Sequence, residues 1–117
     1  MSESNQAVAI DVNSVAAINN IGFIKYEQGD KRTAIQQWQK AIEINNQFAE
    51  PTLALAVALY FQGEHQKAYF LAETALKLDK RIADFYCMKK NFWGQCMITD
   101  AQKFLATPHM KVLLSQF

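Results

Sequence analysis

The sequence predicts an all-α fold, an α-solenoid of antiparallel helix pairs with C-terminal capping helices. One pattern occurs twice, 34 residues apart, so that Gly29 corresponds to Gly63 and Ala41 to Ala75. In each copy a glycine followed by an acidic residue separates two apolar stretches of helical spacing. Repetition at a fixed period of this length is typical of helical repeat arrays, in which each repeat buries its apolar face against its neighbours.

Composition and charge indicate a soluble, single-domain protein. Of 117 residues, 50% are hydrophobic and 20% are charged, and the net charge of +1 argues against a nucleic-acid-binding protein. No apolar run approaches the roughly 18 residues that a membrane-spanning helix needs. The first residues contain neither a basic segment nor a long apolar segment, so they do not resemble a secretory signal. A cytoplasmic location is expected.

The cysteines and histidines do not form a recognisable site. Cys87 and Cys96 are nine residues apart, a separation of about 13 Å on one helix, which is too long for a disulfide. We expect two reduced, partly buried thiols. His65 and His109 are isolated in the sequence and lack zinc-like spacing. No metal, cofactor or catalytic residue is therefore predicted.

The sequence before residue 83 is divided into an N-terminal extension, residues 1–13, and a repeat segment, residues 14–82. The repeat segment contains two repeats, residues 15–48 and 49–82. The extension is expected to be a frayed terminus, although its apolar residues 7–10 could also pack on the first helix pair or in a groove. Asn13 or Ser14 is a candidate N-cap for the first helix. Gly29 should end that helix, and Asp30 should favour the start of the next.

The second repeat contains an unusually apolar helix. Pro51 is tolerated in its first turn, and residues 53–61 are almost entirely apolar. A helix that is apolar on all sides must be covered on more than one side, so an element beyond the neighbouring helices has to pack against it. After Gly63, the fourth helix is predicted from about His65 to Leu78.

Residues 83–117 are predicted to form a partial third repeat and C-terminal capping helices. The first helix of this segment should run from about Asp84 to Gly94. Residues 99–102, with the sequence TDAQ, have the capping-box pattern that opens a helix. Thr107 and Pro108 are a suitable N-cap and first residue for a last helix.

These residues resemble the tetratricopeptide repeat (TPR) family, in which each repeat is an antiparallel pair of helices A and B. The first repeat matches the family motif at Ile18, Ile21, Gly22, Ala34, Trp38 and Ala41, and departs from it at Lys25 and Asn46. The second repeat matches at Leu55, Ala56, Ala68 and Ala75, and departs at Thr52, Leu59, Ala72 and Lys80. The resemblance implies that Trp38 is buried between repeats and that Ala41 and Ala75 lie where helices approach closely.

The resemblance also implies a binding groove lined by the A helices. The positions carried over as partner-binding residues are Asn19, Phe23, Tyr26, Glu27, Glu50, Leu53, Val57, Tyr60, Phe61, Asp84 and Met88. The family's clamp for a C-terminal carboxylate is not supported, because its basic positions hold Asn19, Asp84 and Met88. An apolar or aromatic peptide or helix is the expected ligand, and the alternatives are that the C-terminal helices or a second copy of the chain fill the groove.

The function expected from these observations is a non-enzymatic protein–protein interaction module, an adaptor, scaffold or assembly factor. The sequence lacks a phosphate-binding glycine loop and a nucleophile–base motif. An alternative is a membrane-associated assembly factor, since the C-terminal part combines lysines with aromatic residues. That part, with the sequences KKNFWGQ at 89–95 and DAQKFLATP at 100–108, is also similar to the tails of repeat proteins from photosynthetic prokaryotes. This resemblance implies photosynthetic complexes as the target of such an assembly factor. The residues of this basic, aromatic segment are Lys89, Lys90, Phe92, Trp93, Lys103, Phe104 and Lys111.

Overall fold

A computed structural model describes the backbone of residues 2–84 and 93–117 and the side chains of residues 15–84 and 93–117. Within these ranges the chain is helical and contains no strand, which confirms the predicted all-α class. The helices are α1 (Ser2–Glu27), α2 (Lys31–Ile44), α3 (Ala49–Phe61), α4 (His65–Leu78), a 3-10 turn (Lys80–Ala83), α5 (Gln95–Leu105) and α6 (Pro108–Leu114).

The two predicted helix pairs are present. Helix α1 packs on α2, α3 packs on α4, and the two pairs meet where α2 contacts α3. Gly29 and Gly63 connect the helices of each pair with φ angles of 87° and 90°. This left-handed conformation is unfavourable for residues with a side chain, which explains why both copies carry glycine at the turn.

The ends of the helices follow mostly from local chemistry. The carboxylate of Asp30 accepts a hydrogen bond from the backbone N–H of Thr33 at 3.2 Å, so Asp30 is the N-cap of α2. Thr107 caps α6 through the N–H of Met110, and Pro108 is its first residue, as predicted. Glu64 occupies the equivalent position before α4 without a capping bond from its side chain.

Trp38 lies at the centre of the first helix pair. Its side chain is fully buried, and its ring contacts Phe23 edge-on at 5.3 Å and Tyr26 at 5.8 Å between centroids. A Cβ atom added to Gly22 would lie 2.8 Å from Cδ1 of the same indole. Ala41 and Ala75 are also fully buried. The predicted burial of Trp38 is therefore confirmed, but these ring contacts lie within the first repeat, whereas the prediction placed the side chain between the repeats. The burial of Ala41 and Ala75 agrees with the expectation that helices approach closely there.

Two predicted helix starts are wrong. Helix α1 begins at Ser2, so Asn13 and Ser14 lie inside it and do not cap it; no proline or glycine interrupts the chain between Ser2 and Gly22. Helix α5 begins at Gln95, so the capping-box pattern at 99–102 lies within a helix. The first helix predicted for the third repeat falls mainly on residues 85–92, outside the described part of the chain.

Helix α5 supplies the additional cover that α3 was expected to need. It packs against both α1 and α3, the first helices of the two repeats, and α6 packs on α4 and α5. Met97, Ile98, Ala101, Phe104 and Leu105 are the buried residues of α5. The C-terminal helices are therefore part of one hydrophobic core with the repeats.

Candidate functional site

The candidate site is the surface of α1 and α3 that faces α5, which we call the inner face. It is defined by Asn19, Phe23, Tyr26 and Glu27 from α1, and by Glu50 and Tyr60 from α3. These residues come from the corresponding helices of two repeats, because each repeat presents its first helix on the same side of the array. In the structure, the inner face is occupied by residues 93–104 of the same chain.

Glu27 binds the beginning of α5. Its two carboxylate oxygens accept hydrogen bonds from the backbone N–H groups of Cys96 at 3.1 Å and Met97 at 3.0 Å. N–H groups in the first turn of a helix have no partner within that helix, and a negative charge there also interacts favourably with the helix dipole. Gly94, the N-cap residue of α5, provides no side chain for this purpose. Glu27 therefore performs the capping function from a distant helix.

Gly94 leaves the space that the Glu27 carboxylate occupies. A Cβ atom added to Gly94 would overlap the carboxylate group and Cγ of Glu27. The backbone of Gly94 is extended, with φ −67° and ψ 159°, so glycine is not required there for a left-handed conformation. The reason for glycine at this position is the close approach of Glu27.

Tyr26 makes a second polar contact with α5. Its hydroxyl donates a hydrogen bond to the carboxylate of Asp100, and the side chain of Tyr26 is almost completely buried. Burial raises the pKa of the Tyr26 hydroxyl well above its ordinary value, and the hydrogen bond and charge of Asp100 raise it further. Lys31 lies 3.8 Å from Asp100 and 5.0 Å from the centre of the Tyr26 ring. Tyr26 therefore acts as a neutral hydrogen-bond donor.

Glu50 makes a third contact, with Trp93, which lies two residues before the start of α5. Its Oε1 atom accepts hydrogen bonds from Nε1 of Trp93 at 3.3 Å and Nδ2 of Asn19 at 3.4 Å. Burial raises the pKa of Glu50, and these two hydrogen bonds partly oppose that increase. Asn19 is itself buried, and its Oδ1 atom has no hydrogen-bond partner among the residues that the structure describes. The site thus contains a half-buried carboxylate held by two neutral donors.

Aromatic contacts complete the inner face. The rings of Phe23 and Trp93 lie 5.0 Å apart, and those of Tyr60 and Phe104 lie 5.1 Å apart. Beyond this surface, Tyr69 of α4 stacks on Phe104 at 6.0 Å and on His109 at 3.9 Å. Such ring pairs add to the stability gained from burying apolar surface.

The residues predicted to bind a partner fall into three groups in the structure. Asn19, Phe23, Tyr26, Glu27, Glu50 and Tyr60 are brought together on the inner face and contact each other or residues 93–104. Leu53 and Val57 are fully buried in the core. Phe61 is 42% exposed at the end of α3, Asp84 is exposed beyond the 3-10 turn, and Met88 lies outside the described residues.

Several residues of the site were not predicted from the sequence. Trp93, Gly94, Asp100 and Lys31 all contribute, although none lies at a groove position of the repeats. The glycine after the aromatic pair Phe92–Trp93 was the one local signal, since glycine frequently marks a helix boundary or a close approach. Cys96 is exposed rather than partly buried, because its side chain lies on the solvent-facing side of α5.

A second apolar groove lies on the other side of the repeats, between α2, α3 and α4. Its volume is about 430 Å³, and it is lined by Gln39, Leu55, Leu59, Gln66, Lys67, Phe70 and Leu71. Phe70 is 69% exposed at its edge. Within residues 2–84 and 93–117, no group of three or more His, Cys, Asp or Glu residues is arranged to hold a metal ion.

The sequence of the first two repeats matches a known family. Residues 24–63, from the last turn of α1 to the turn after α3, match the TPR repeat. Together with the two helix pairs, this match supports a TPR-type repeat over these residues, and TPR repeats are typically non-catalytic protein-interaction modules. A search of curated proteins gave no relative that matches the chain. Among the described residues, no helix combines the length and apolar character needed to cross a membrane.

Proposed function

We propose that this chain is a non-enzymatic adaptor or assembly factor that binds a helix of a partner protein on the inner face of α1 and α3. The observation that supports this function best is that the inner face holds a helix in the structure. Helix α5 presents one apolar side to the repeats and places its first turn against Glu27. Helices with an apolar side are a common ligand of apolar grooves.

The chemistry of α5 describes the ligand. A suitable helix carries apolar residues at the spacing of Met97, Ile98, Ala101 and Phe104, which form one side of a helix. It begins with a small residue, because the Glu27 carboxylate fills the space beside Gly94. An aromatic residue with an N–H group before the helix would donate a hydrogen bond to Glu50, as Trp93 does. The partner is therefore an amphipathic helix with an aromatic residue near its start.

Photo-cross-linking tests this proposal at two exposed phenylalanines. A photoreactive phenylalanine analogue replaces Phe61, next to the inner-face residue Tyr60, or Phe70, at the groove on the opposite side. We expect the full-length protein with the analogue at 61 to form a defined adduct in a cell lysate. An excess of synthetic peptide 93–117 should reduce this adduct and should not affect any adduct at position 70.

The control position makes the test selective. An adduct formed only at position 70 would place the binding surface on the groove of α2 and α4 and contradict the proposal. An adduct at 61 between two copies of the chain would identify the partner as a second molecule of this protein.

A further inference from the structure

Helix α5 and the inner face are joined by polar contacts that a simple capping helix does not need. Three side chains of the repeats form hydrogen bonds with residues between Trp93 and Asp100. Tyr26 donates, whereas Glu27 and Glu50 accept. The partners are separated by 43 to 74 positions in the sequence. An apolar stripe alone would cover α3, whereas these contacts fix the position and direction of the helix.

From this arrangement we propose that α5 is an intramolecular competitor for the inner face, so that a partner helix binds only by displacing it. This inference rests on the proposed function, because it specifies how access to the same surface is controlled. The bound form of the tail is a closed state, and the form with α5 released is the open, binding-competent state. The affinity measured for a partner is then its intrinsic affinity reduced by the fraction of molecules that are open.

The contact between Glu27 and Gly94 can be changed at Gly94 without changing the sequence of the inner face. Gly94 belongs to the tail, and its replacement by alanine places a Cβ atom where the Glu27 carboxylate lies. Glu27 is an exposed, flexible side chain, so it can move away, but its hydrogen bonds to Cys96 and Met97 are then lost. Gly94→Ala therefore favours the open state while α1 and α3 keep their wild-type sequence.

The experiment measures binding of a second tail in trans. The probe is a fluorescently labelled synthetic peptide of residues 93–117, and the protein is the full-length chain with Gly94 or with Gly94→Ala. Gly94→Ala removes two hydrogen bonds to the Glu27 carboxylate and so increases the fraction of open molecules. With the energy of these bonds reduced for the exposure of Glu27 to solvent, the peptide should bind the variant about tenfold more tightly than the wild type. Lys103→Ala, at an exposed position on the same helix, is the matched control and should bind the peptide like the wild type.

A second variant guards against a folding defect in the first. Asp100→Ala removes the acceptor of the Tyr26 hydrogen bond and the partner of Lys31, and it also lies in the tail. It should strengthen peptide binding in the same direction. Glu27→Ala should not, because it opens the tail but also removes the group that caps the incoming helix. Circular dichroism confirms that each variant keeps the helical content of the wild type.

The outcomes separate this inference from the proposed function. Stronger binding by Gly94→Ala or Asp100→Ala than by the wild type and Lys103→Ala supports the competitor role of α5. Equal, measurable binding by all of these proteins would overturn it, while the inner face would remain a helix-binding surface. Absence of binding by every folded variant would remove the inner face as a site for a helix in trans, and both proposals would then be wrong.

Discussion

At the scale of single residues, the contact between Gly22 and Trp38 shows why the repeat requires a small residue in α1. A Cβ atom at position 22 would lie 2.8 Å from Cδ1 of the indole, closer than packed atoms tolerate. We expect Gly22→Ala to lower the free energy of unfolding by about 1–3 kcal/mol, although alanine favours helices. Trp38→Ala should cost about 3–5 kcal/mol through the cavity that it leaves.

A double-mutant cycle with Trp38→Phe tests this contact directly. Phenylalanine lacks the edge of the indole that the added methyl group would meet, so Gly22→Ala should be less destabilising in the Trp38→Phe background. Urea denaturation of the four proteins gives the coupling energy. Gln36→Ala, on the exposed side of α2, is the control. An equal cost of Gly22→Ala in both backgrounds would show that the indole is not responsible.

Glu50 leads to a prediction about pH. Burial raises its pKa above the ordinary value of 4.5, so the folded protein binds this proton more tightly than the unfolded chain does. The ionised carboxylate therefore lowers stability at neutral pH, and this cost disappears as the pH falls towards 4.5. Glu50→Gln removes the charge and keeps an oxygen that can accept from Trp93 and Asn19.

Thermal unfolding between pH 4.5 and 7.5 tests whether the ionised Glu50 carboxylate lowers stability. The stability of Glu50→Gln relative to the wild type should be highest at neutral pH and should decrease as the pH falls. Glu43→Gln, at an exposed position of α2, should show no such trend. A relative stability of Glu50→Gln that increases on acidification would show that the hydrogen bonds to the carboxylate outweigh its burial.

At the scale of the elements, the two repeats differ in how their second helix begins. Asp30 caps α2, whereas Glu64 makes no capping bond to α4, because a glutamate side chain is too long for the N-cap geometry. Asp30→Ala should therefore lower the melting temperature more than Glu64→Ala does. Calorimetry of the two variants makes the comparison, and an equal or reversed order would contradict this assignment of the caps.

The same comparison shows which elements the sequence could predict. The turns at Gly29 and Gly63, the cap at Asp30 and the bounds of α4 depend on neighbouring residues and follow from local chemistry. The start of α5 does not, because its cap is Glu27, 69 and 70 positions away from the amides that it binds. The local pattern at 99–102 resembles a helix start, but the helix begins four residues earlier, at Gln95, where another helix supplies the cap.

At the scale of the whole molecule, the sequence predicted the repeats but left open whether a partner, the C-terminal helices or a second copy of the chain occupies their inner face. Tyr26, Glu27 and Glu50 were identified as groove residues from their positions in the repeat. Their hydrogen-bond partners lie between Trp93 and Asp100, beyond the second repeat, where no periodicity indicates which surface they reach. The apolar character of α3 showed that additional cover was needed, but it did not show that α5 provides it.

Whether α5 occupies the inner face in solution is tested most directly by residue-resolved amide hydrogen exchange of the full-length chain. Amides in the first turn of a helix normally exchange rapidly, since they have no partner within the helix. With Glu27 as their acceptor, the amides of Cys96 and Met97 should be protected in the wild type, and the protection should be lost in Glu27→Ala. Glu43→Ala should leave it unchanged. Rapid, unprotected exchange of both amides in the wild type would contradict the docked position of α5.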